Sequence, residues 1–203
     1  MISTAKEHYS TPTTTYSLID ATALPSSTLL APNSFDKIFS HAALHWILLP
    51  EQHRLPVAKS LHNLLRPGGI LAAEFSAHGS CAEIHGALIG ALVHRGVPAR
   101  AAFDATPWYF PPEEEVRALF SAAGFAIESL EVELRQPELP DVAGWVRLFG
   151  AKFLEMVEEG EQRDAVVDEV TEILEGVGRK RGGGLKVNYI RCRILARKGS
   201  DQE

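Results

Sequence analysis

At 203 residues, 45% hydrophobic and 23% charged, the chain has enough apolar surface for one sizeable core and too much for a mostly disordered segment. Its net charge of -6 argues against a nucleic-acid backbone as the main partner, because that kind of binding comes from clustered Lys and Arg. Cys81 and Cys192 are the two cysteines and fall in different elements, which excludes a disulfide framework and a zinc ribbon, and no run of about 18 apolar residues is present to cross a membrane. With no basic start leading into an apolar run, no signal peptide is expected and a soluble, cytoplasmic protein follows.

Residues 10–17 form a Ser/Thr-rich connector into a short strand at 16–19, which ends at Asp20-Ala21. Residues 22–34 read as loop and 35–40 as a short buried strand, followed by a loop carrying His41, His45 and Trp46. A helix over about 50–65 tolerates Pro50 in its first turn, sets Leu55, Ala58, Leu61 and Leu65 on one face, and is stopped by Pro67-Gly68-Gly69. Residues 70–75 then run apolar on both faces, as buried parallel strands do, so that 35–75 reads as a βαβ unit.

A second helix over 81–94 turns Ile84, Leu88, Ala91 and Leu92 inward and stops at Gly96. Residues 98–112 form a loop rich in aromatics, with Phe103, Trp108, Tyr109 and Phe110, before a helix at 113–123 whose three leading glutamates suit the positive end of its dipole. Residues 125–134 read as a strand, and Asp141 caps a helix with Trp145, Leu148, Phe149 and Leu154 at helical spacing. Val166, Val170, Ile173 and Leu174 make a further helical stripe, and 187–198 alternates Ile190, Cys192, Ile194 and Ala196 against Arg191 and Arg193 with strand period. Arg179-Lys180-Arg181, followed by Gly182-Gly183-Gly184, reads as a solvated loop, because the glycines lack the Lys-Ser/Thr of a phosphate-binding loop.

The stretch Phe35-Asp36-Lys37-Ile38-Phe39-Ser40, then Leu44-His45-Trp46, then Leu65-Arg66-Pro67-Gly68-Gly69, resembles the second half of the nucleotide-binding fold of class I S-adenosylmethionine-dependent methyltransferases of type 11. Residues 144–149 (Gly-Trp-Val-Arg-Leu-Phe) and Tyr189-Ile190-Arg191 are similar to a subgroup that includes trans-aconitate methyltransferase. The resemblance implies an α/β, Rossmann-like methyltransferase sheet, N-terminally truncated, with a two-helix insertion before the last antiparallel strand. It implies one domain over 1–203, in which 1–80 is a partial cofactor-binding half and 81–203 carries the substrate-side helices and C-terminal strands. The opening Met1-Ile2-Ser3-Thr4-Ala5-Lys6 looks like the helix after the family's second strand, so the glycine-rich loop and the ribose-binding acid are not among these residues.

The implied cofactor is S-adenosyl-L-methionine and the implied activity is methyl transfer to a small-molecule acceptor, with no nucleic-acid or membrane partner. The alternative is a catalytically impaired methyltransferase-like chain that acts as a binding or partner subunit. Lacking the family's first strand beside it, 35–40 has an open edge that is expected to self-associate unless 16–19 pairs there. A dinucleotide oxidoreductase ranks last, for want of a G-x-G-x-x-G fingerprint.

Carried over by resemblance, Asp20 and Ala21 meet the adenine, where a carboxylate accepts from the exocyclic amine; the other reading of Asp20 is a turn former at a strand end. Ser40, His41 and Ala42 line the cofactor at the carboxyl end of their strand, where open α/β sheets hold ligands. His45 and Trp46 border the transferred methyl group as candidate catalytic residues, or else pack locally. Trp108, Tyr109 and Arg147 are candidate substrate contacts, Arg147 alternatively being a solvated surface residue. Asp36 reads as structural, and Glu74 either faces the substrate or orients a neighbour. No spacing of His, Cys, Asp and Glu suggests a metal.

Overall fold

The computed structural model describes residues 1–182 and 184–200; Gly183, the middle of the expected triple-glycine turn, lies outside the described residues. Among the described residues four strands, β1 (Phe35–His41), β2 (Leu65–Ser76), β3 (Phe125–Arg135) and β4 (Tyr189–Lys198), form an open sheet in the order β1-β2-β4-β3. The helices are α1 (Ile2–Tyr9), α2 (Leu44–Ile47), α3 (Glu51–Leu64), α4 (Ala82–His94), α5 (Ala99–Asp104), α6 (Glu113–Ala122), α7 (Val142–Phe149), α8 (Ala151–Leu154) and α9 (Glu161–Gly178). β1 and β2 pair in parallel through the α3 crossover, whereas β4 runs antiparallel to both β2 and β3. This is the mixed α/β, Rossmann-like arrangement expected, including the final antiparallel strand.

The strand period of two decides what each face does. Leu71, Ala73 and Phe75 of β2 and Cys192, Ile194 and Ala196 of β4 are buried with Val57 and Ala58 of α3 and Val116 and Phe120 of α6. A second cluster joins Leu88 and Leu92 of α4, Phe153 of α8, and Val166, Val170 and Leu174 of α9. Gly69 lies where the start of β1 meets β2: a Cβ there would stand 2.8 Å from the Arg66 carbonyl and 3.2 Å from that of Asp36. Gly69→Ala is therefore expected to destabilise the crossover by about 1–3 kcal/mol in urea unfolding, the range for overpacked sites.

Several expectations need correction. Residues 16–19 are not a strand: Leu18 is 84% exposed. Asp20 instead accepts from both the backbone N–H and the hydroxyl of Thr22, starting a 3-10 turn over Ala21–Ser26, and such local bonds compete with a strand ladder. Among the described residues β1 consequently pairs with β2 alone, leaving Phe39 76% exposed. β2 is not buried on both faces, because α3 and α6 cover the Leu71–Ala73–Phe75 side while Ala72 and Glu74 remain half-buried. Leu55, Leu148 and Ile173 are exposed, the aromatic loop contains α5, and Leu154 sits in α8, outside the helix that Asp141 caps. The basic cluster is partly neutralised, Arg179 by Glu175 (2.6 Å) and Lys180 by Glu138 (3.0 Å). Among the described residues no helix is long and apolar enough to cross a membrane.

Candidate functional site

β1 and β2 end side by side, and the chain turns sharply after each. Ala42, just beyond β1, takes a left-handed φ of +52°, and its N–H donates to the Glu74 carbonyl (2.8 Å). Cys81, ahead of α4, takes φ +53°, with its N–H donating to the Asn188 carbonyl (2.7 Å). Left-handed backbone is uncommon outside glycine and concentrates where a ligand site over-determines the chain. Both residues line the same cavity, of about 130 Å³, together with His45, Trp46, Ser76, Trp108, Phe110, Trp145, Phe149, Tyr189 and Arg191.

Six aromatic side chains make most of this wall. Trp108 is only 6% exposed and stacks on Phe110 with ring centroids 5.6 Å apart, meets Trp46 edge-on at 5.9 Å, and lies 6.0 Å from Trp145. Trp46 is 37% exposed and stands at the mouth. The Trp145 indole N–H donates to the Tyr189 hydroxyl (2.7 Å), which ties α7 to the start of β4. The Tyr109 N–H donates to the His45 carbonyl (2.8 Å), holding the aromatic loop against α2.

The polar part of the wall is narrow. The Ser76 N–H donates to His45 Nδ1 (3.4 Å), and Arg191 Nη1 donates to Ser76 Oγ (3.0 Å). Burial, helped by the Arg191 charge, pushes the His45 imidazole down to about 4, so the ring is neutral near neutral pH. With Nδ1 accepting, a neutral ring carries its proton on Nε2. Burial also pushes the Cys81 thiol up to about 12 and raises the Tyr189 phenol, so neither supplies a thiolate or phenolate nucleophile. Among the described residues no cluster of three or more His, Cys, Asp and Glu is placed to hold a metal.

A wider groove adjoins the cavity through Tyr189 and Arg191, and contains His41, Glu74, Glu133 and Arg135. Glu74 pairs with Arg193 (2.6 Å), with His41 at 3.4 Å and Arg135 at 3.9 Å; Arg193 also takes Glu133 (2.7 Å). Burial works to raise the Glu74 carboxyl, but the Arg193 hydrogen bond and the charges of Arg193, Arg191 and His41 outweigh it and hold it below the usual range.

Of the residues singled out in the sequence, the structure gathers Ala42, His45, Trp46 and Trp108 around the cavity and sets His41 in the adjoining groove. Ser40 lies one residue before His41 on β1, opposite Ala73. Asp20 and Ala21 open the 3-10 turn packed on α3 and line neither space. Tyr109 turns its ring away, under the Arg54 guanidinium (3.7 Å) and with its hydroxyl on Glu115 (2.7 Å); Arg147 pairs with Asp164 (2.9 Å), outside the cavity. Asp36 bonds Arg66 at the surface (2.7 Å), and Glu74 pairs with Arg193 (2.6 Å) where it lines the groove. Sequence reasoning did not single out Ser76, Cys81 or Arg191 for the site. No local signal marks Ser76 and Arg191; their pairing across β2 and β4 is what sets Arg191 level with the end of β2.

Comparison with known proteins accords with this geometry. The family described as Methyltransferase domain matches residues 1–73. The uncharacterized methyltransferase C70.08c of Schizosaccharomyces pombe is 31% identical over 183 residues, which span 89% of this chain and 67% of that protein. The crystal structure of a candidate methyltransferase from Bacillus halodurans C-125 aligns with TM-score 0.53 at 14% identity, covering 92% of this chain and 78% of that one. The [4+2]-cyclase SpnF aligns with TM-score 0.50 at 17% identity, over 98% and 60% of the two chains. The structural matches speak to the fold alone, and the yeast relative carries the family assignment: the chain belongs to the class I S-adenosylmethionine-dependent methyltransferases.

Proposed function

We propose that this chain transfers a methyl group from S-adenosylmethionine to a small-molecule acceptor seated in the aromatic cavity, with the cofactor lying across the end of β1. The observation that carries this reading is the convergence of the β1 and β2 ends, with left-handed Ala42, on a cavity walled by aromatics. The residues present fit part of the cofactor. Asp20 is exposed and spends only Oδ1 on Thr22, leaving Oδ2 to accept from an adenine amine, with the Ala21 backbone beside it. Ser40, His41 and Ala42 would face the cofactor's methionine end.

When bound, the cofactor would supply a methyl group on a sulfonium whose sulfur leaves as a neutral thioether. The protein's part is then to place the acceptor atom in line and keep water out, which can provide much of the acceleration. Trp46 and Trp108 serve that placement. His45, neutral and proton-bearing on Nε2, orients the acceptor by donating to it. His45 is a weak base and Cys81 stays a thiol near neutral pH, which suits an acceptor atom that needs no base.

Asp20→Ala is expected to weaken S-adenosylhomocysteine binding about tenfold, the effect of one lost hydrogen bond to a charged group. Calorimetric titration of a folded variant with unchanged affinity would make Asp20 a turn residue only.

The exposed edge of β1 favours a second property. The 203-residue chain on its own is expected to self-associate through Phe35–His41, since an apolar edge with free N–H and C=O groups pairs with another strand. Size-exclusion chromatography with light scattering checks this; a monodisperse monomer with slow amide exchange at Ile38 and Phe39 would show the edge already covered.

A further inference from the structure

Two walls of the aromatic cavity come from pieces of chain that hold their own shape poorly. His45 and Trp46 sit on α2, a helix of four residues, and a helix that short does not persist in water by itself. Trp108 and Phe110 sit on the irregular segment between α5 and α6. Tyr109 lies between them in sequence, and its N–H joins one wall to the other at the His45 carbonyl (2.8 Å). A single backbone bond leaves the walls free to pivot about it, so their spacing needs a second point of attachment.

Arg54, on α3, reaches both walls and lines neither the cavity nor the adjoining groove. Its Nε donates to the Leu48 carbonyl (3.0 Å) and its Nη2 to that of Leu49 (3.4 Å), carbonyls that the end of a short helix leaves without partners. The same guanidinium covers the Tyr109 ring, 3.7 Å from its centre, and the Tyr109 hydroxyl donates to Glu115 (2.7 Å) in the first turn of α6. Tyr109 is thus held by its N–H, its ring face and its hydroxyl, and Arg54 connects that ring to the end of α2. A planar fork that bonds two carbonyls through its edge and a ring through its face is a task for arginine; lysine supplies the charge without the fork.

We infer that Arg54 is a positioning residue for the cavity: by clamping the end of α2 to the Tyr109 ring, it fixes Trp46 against Trp108 (5.9 Å between ring centres) and His45 against Phe110 (5.7 Å) without touching what occupies the space between them. That the occupant is the methyl acceptor rests on the function proposed above; the hold of Arg54 on the walls does not.

All three tryptophans of the chain line the cavity, so their indole N–H resonances report its walls one by one. In the full chain without cofactor, Arg54→Met is expected to move the Trp46 and Trp108 indole resonances by more than a linewidth. The Trp145 resonance should stay, because its N–H is held by the Tyr189 hydroxyl (2.7 Å) on β4. Tyr109→Leu should give the same pattern, and the double variant should move the resonances no further than either substitution alone, as contacting members of one clamp do. Arg54→Lys should displace Trp46 and leave Trp108 nearer its native position, since the charge on the ring survives and the fork does not. Unmoved Trp46 and Trp108 in folded Arg54→Met, displacement of all three indoles together as in a general loosening, or additive displacements in the double variant would overturn the inference. Where Arg54→Met does not fold, Arg54→Lys decides: a displaced Trp46 beside an unmoved Trp145 supports the clamp, and a native spectrum overturns it. A chain that shows this pattern yet fails to bind S-adenosylhomocysteine would keep the clamp and overturn only the reading of the cavity as an acceptor site.

Discussion

Trp108→Ala is expected to cost about 3–5 kcal/mol of unfolding free energy, the range for truncating a buried aromatic, and to abolish acceptor binding with it. The size of the effect follows from position. Trp108 belongs to the helical core cluster, with its ring 5.8 Å from Phe153 of α8, and also forms the back wall of the cavity against Phe110 and Trp46. Removing it leaves a void bordered by the rings of Phe110, Trp145 and Phe153, which belong to separate elements and can refill it only in part. Urea unfolding, with Trp108→Phe as the milder replacement, checks this. A loss below about 1 kcal/mol would mean that the aromatic cluster is not continuous with the core.

The second large effect is on pH dependence. His45 is held at about 4 in the folded protein, against 6.5 for an ordinary free imidazole. Between those values the unfolded chain binds a proton that the folded chain does not, so stability rises with pH across the window. The contribution is fully present above 6.5 and is lost as pH falls toward 4. A difference of roughly 2.5 pKa units corresponds to about 3 kcal/mol. Burial depresses His62 and His85 in the same direction, so the unmodified chain alone cannot isolate His45. The informative quantity is the difference from His45→Gln: its urea midpoints should fall less steeply between these pH values. Parallel curves would remove the buried, neutral His45 from the account.

Much of the fold could be read from local signals. The βαβ unit, the Gly96 and Gly124 stops, the Asp141 cap and the alternation of Cys192, Ile194 and Ala196 each depend on residues a few positions apart, and each is found in place. The failures were of another kind. Residues 16–19 have strand-like composition, but whether they pair depends on a neighbour elsewhere in the chain, and Asp20 offers a nearer partner. Residues 70–75 are apolar throughout, yet which side is covered depends on where α3 and α6 land. The same limit applied to the site. Trp46 and Trp108 stood out by type, whereas Arg191 and Ser76 acquire meaning only when β4 is inserted beside β2 at its observed register. Tyr109 and Arg147 have suitable chemistry, but Glu115 and Asp164 claim them first.

The cofactor is expected to lie across the end of β1, against the aromatic cavity. Backbone amide NMR during titration with S-adenosylhomocysteine tests it most directly, because resonances respond even to weak binding. The expected result is progressive shifts at Ser40, His41 and Ala42, at the Asp20-Ala21 turn, and at the Trp46 indole. Shifts confined to other surfaces, or none at these positions up to saturating ligand, would contradict it.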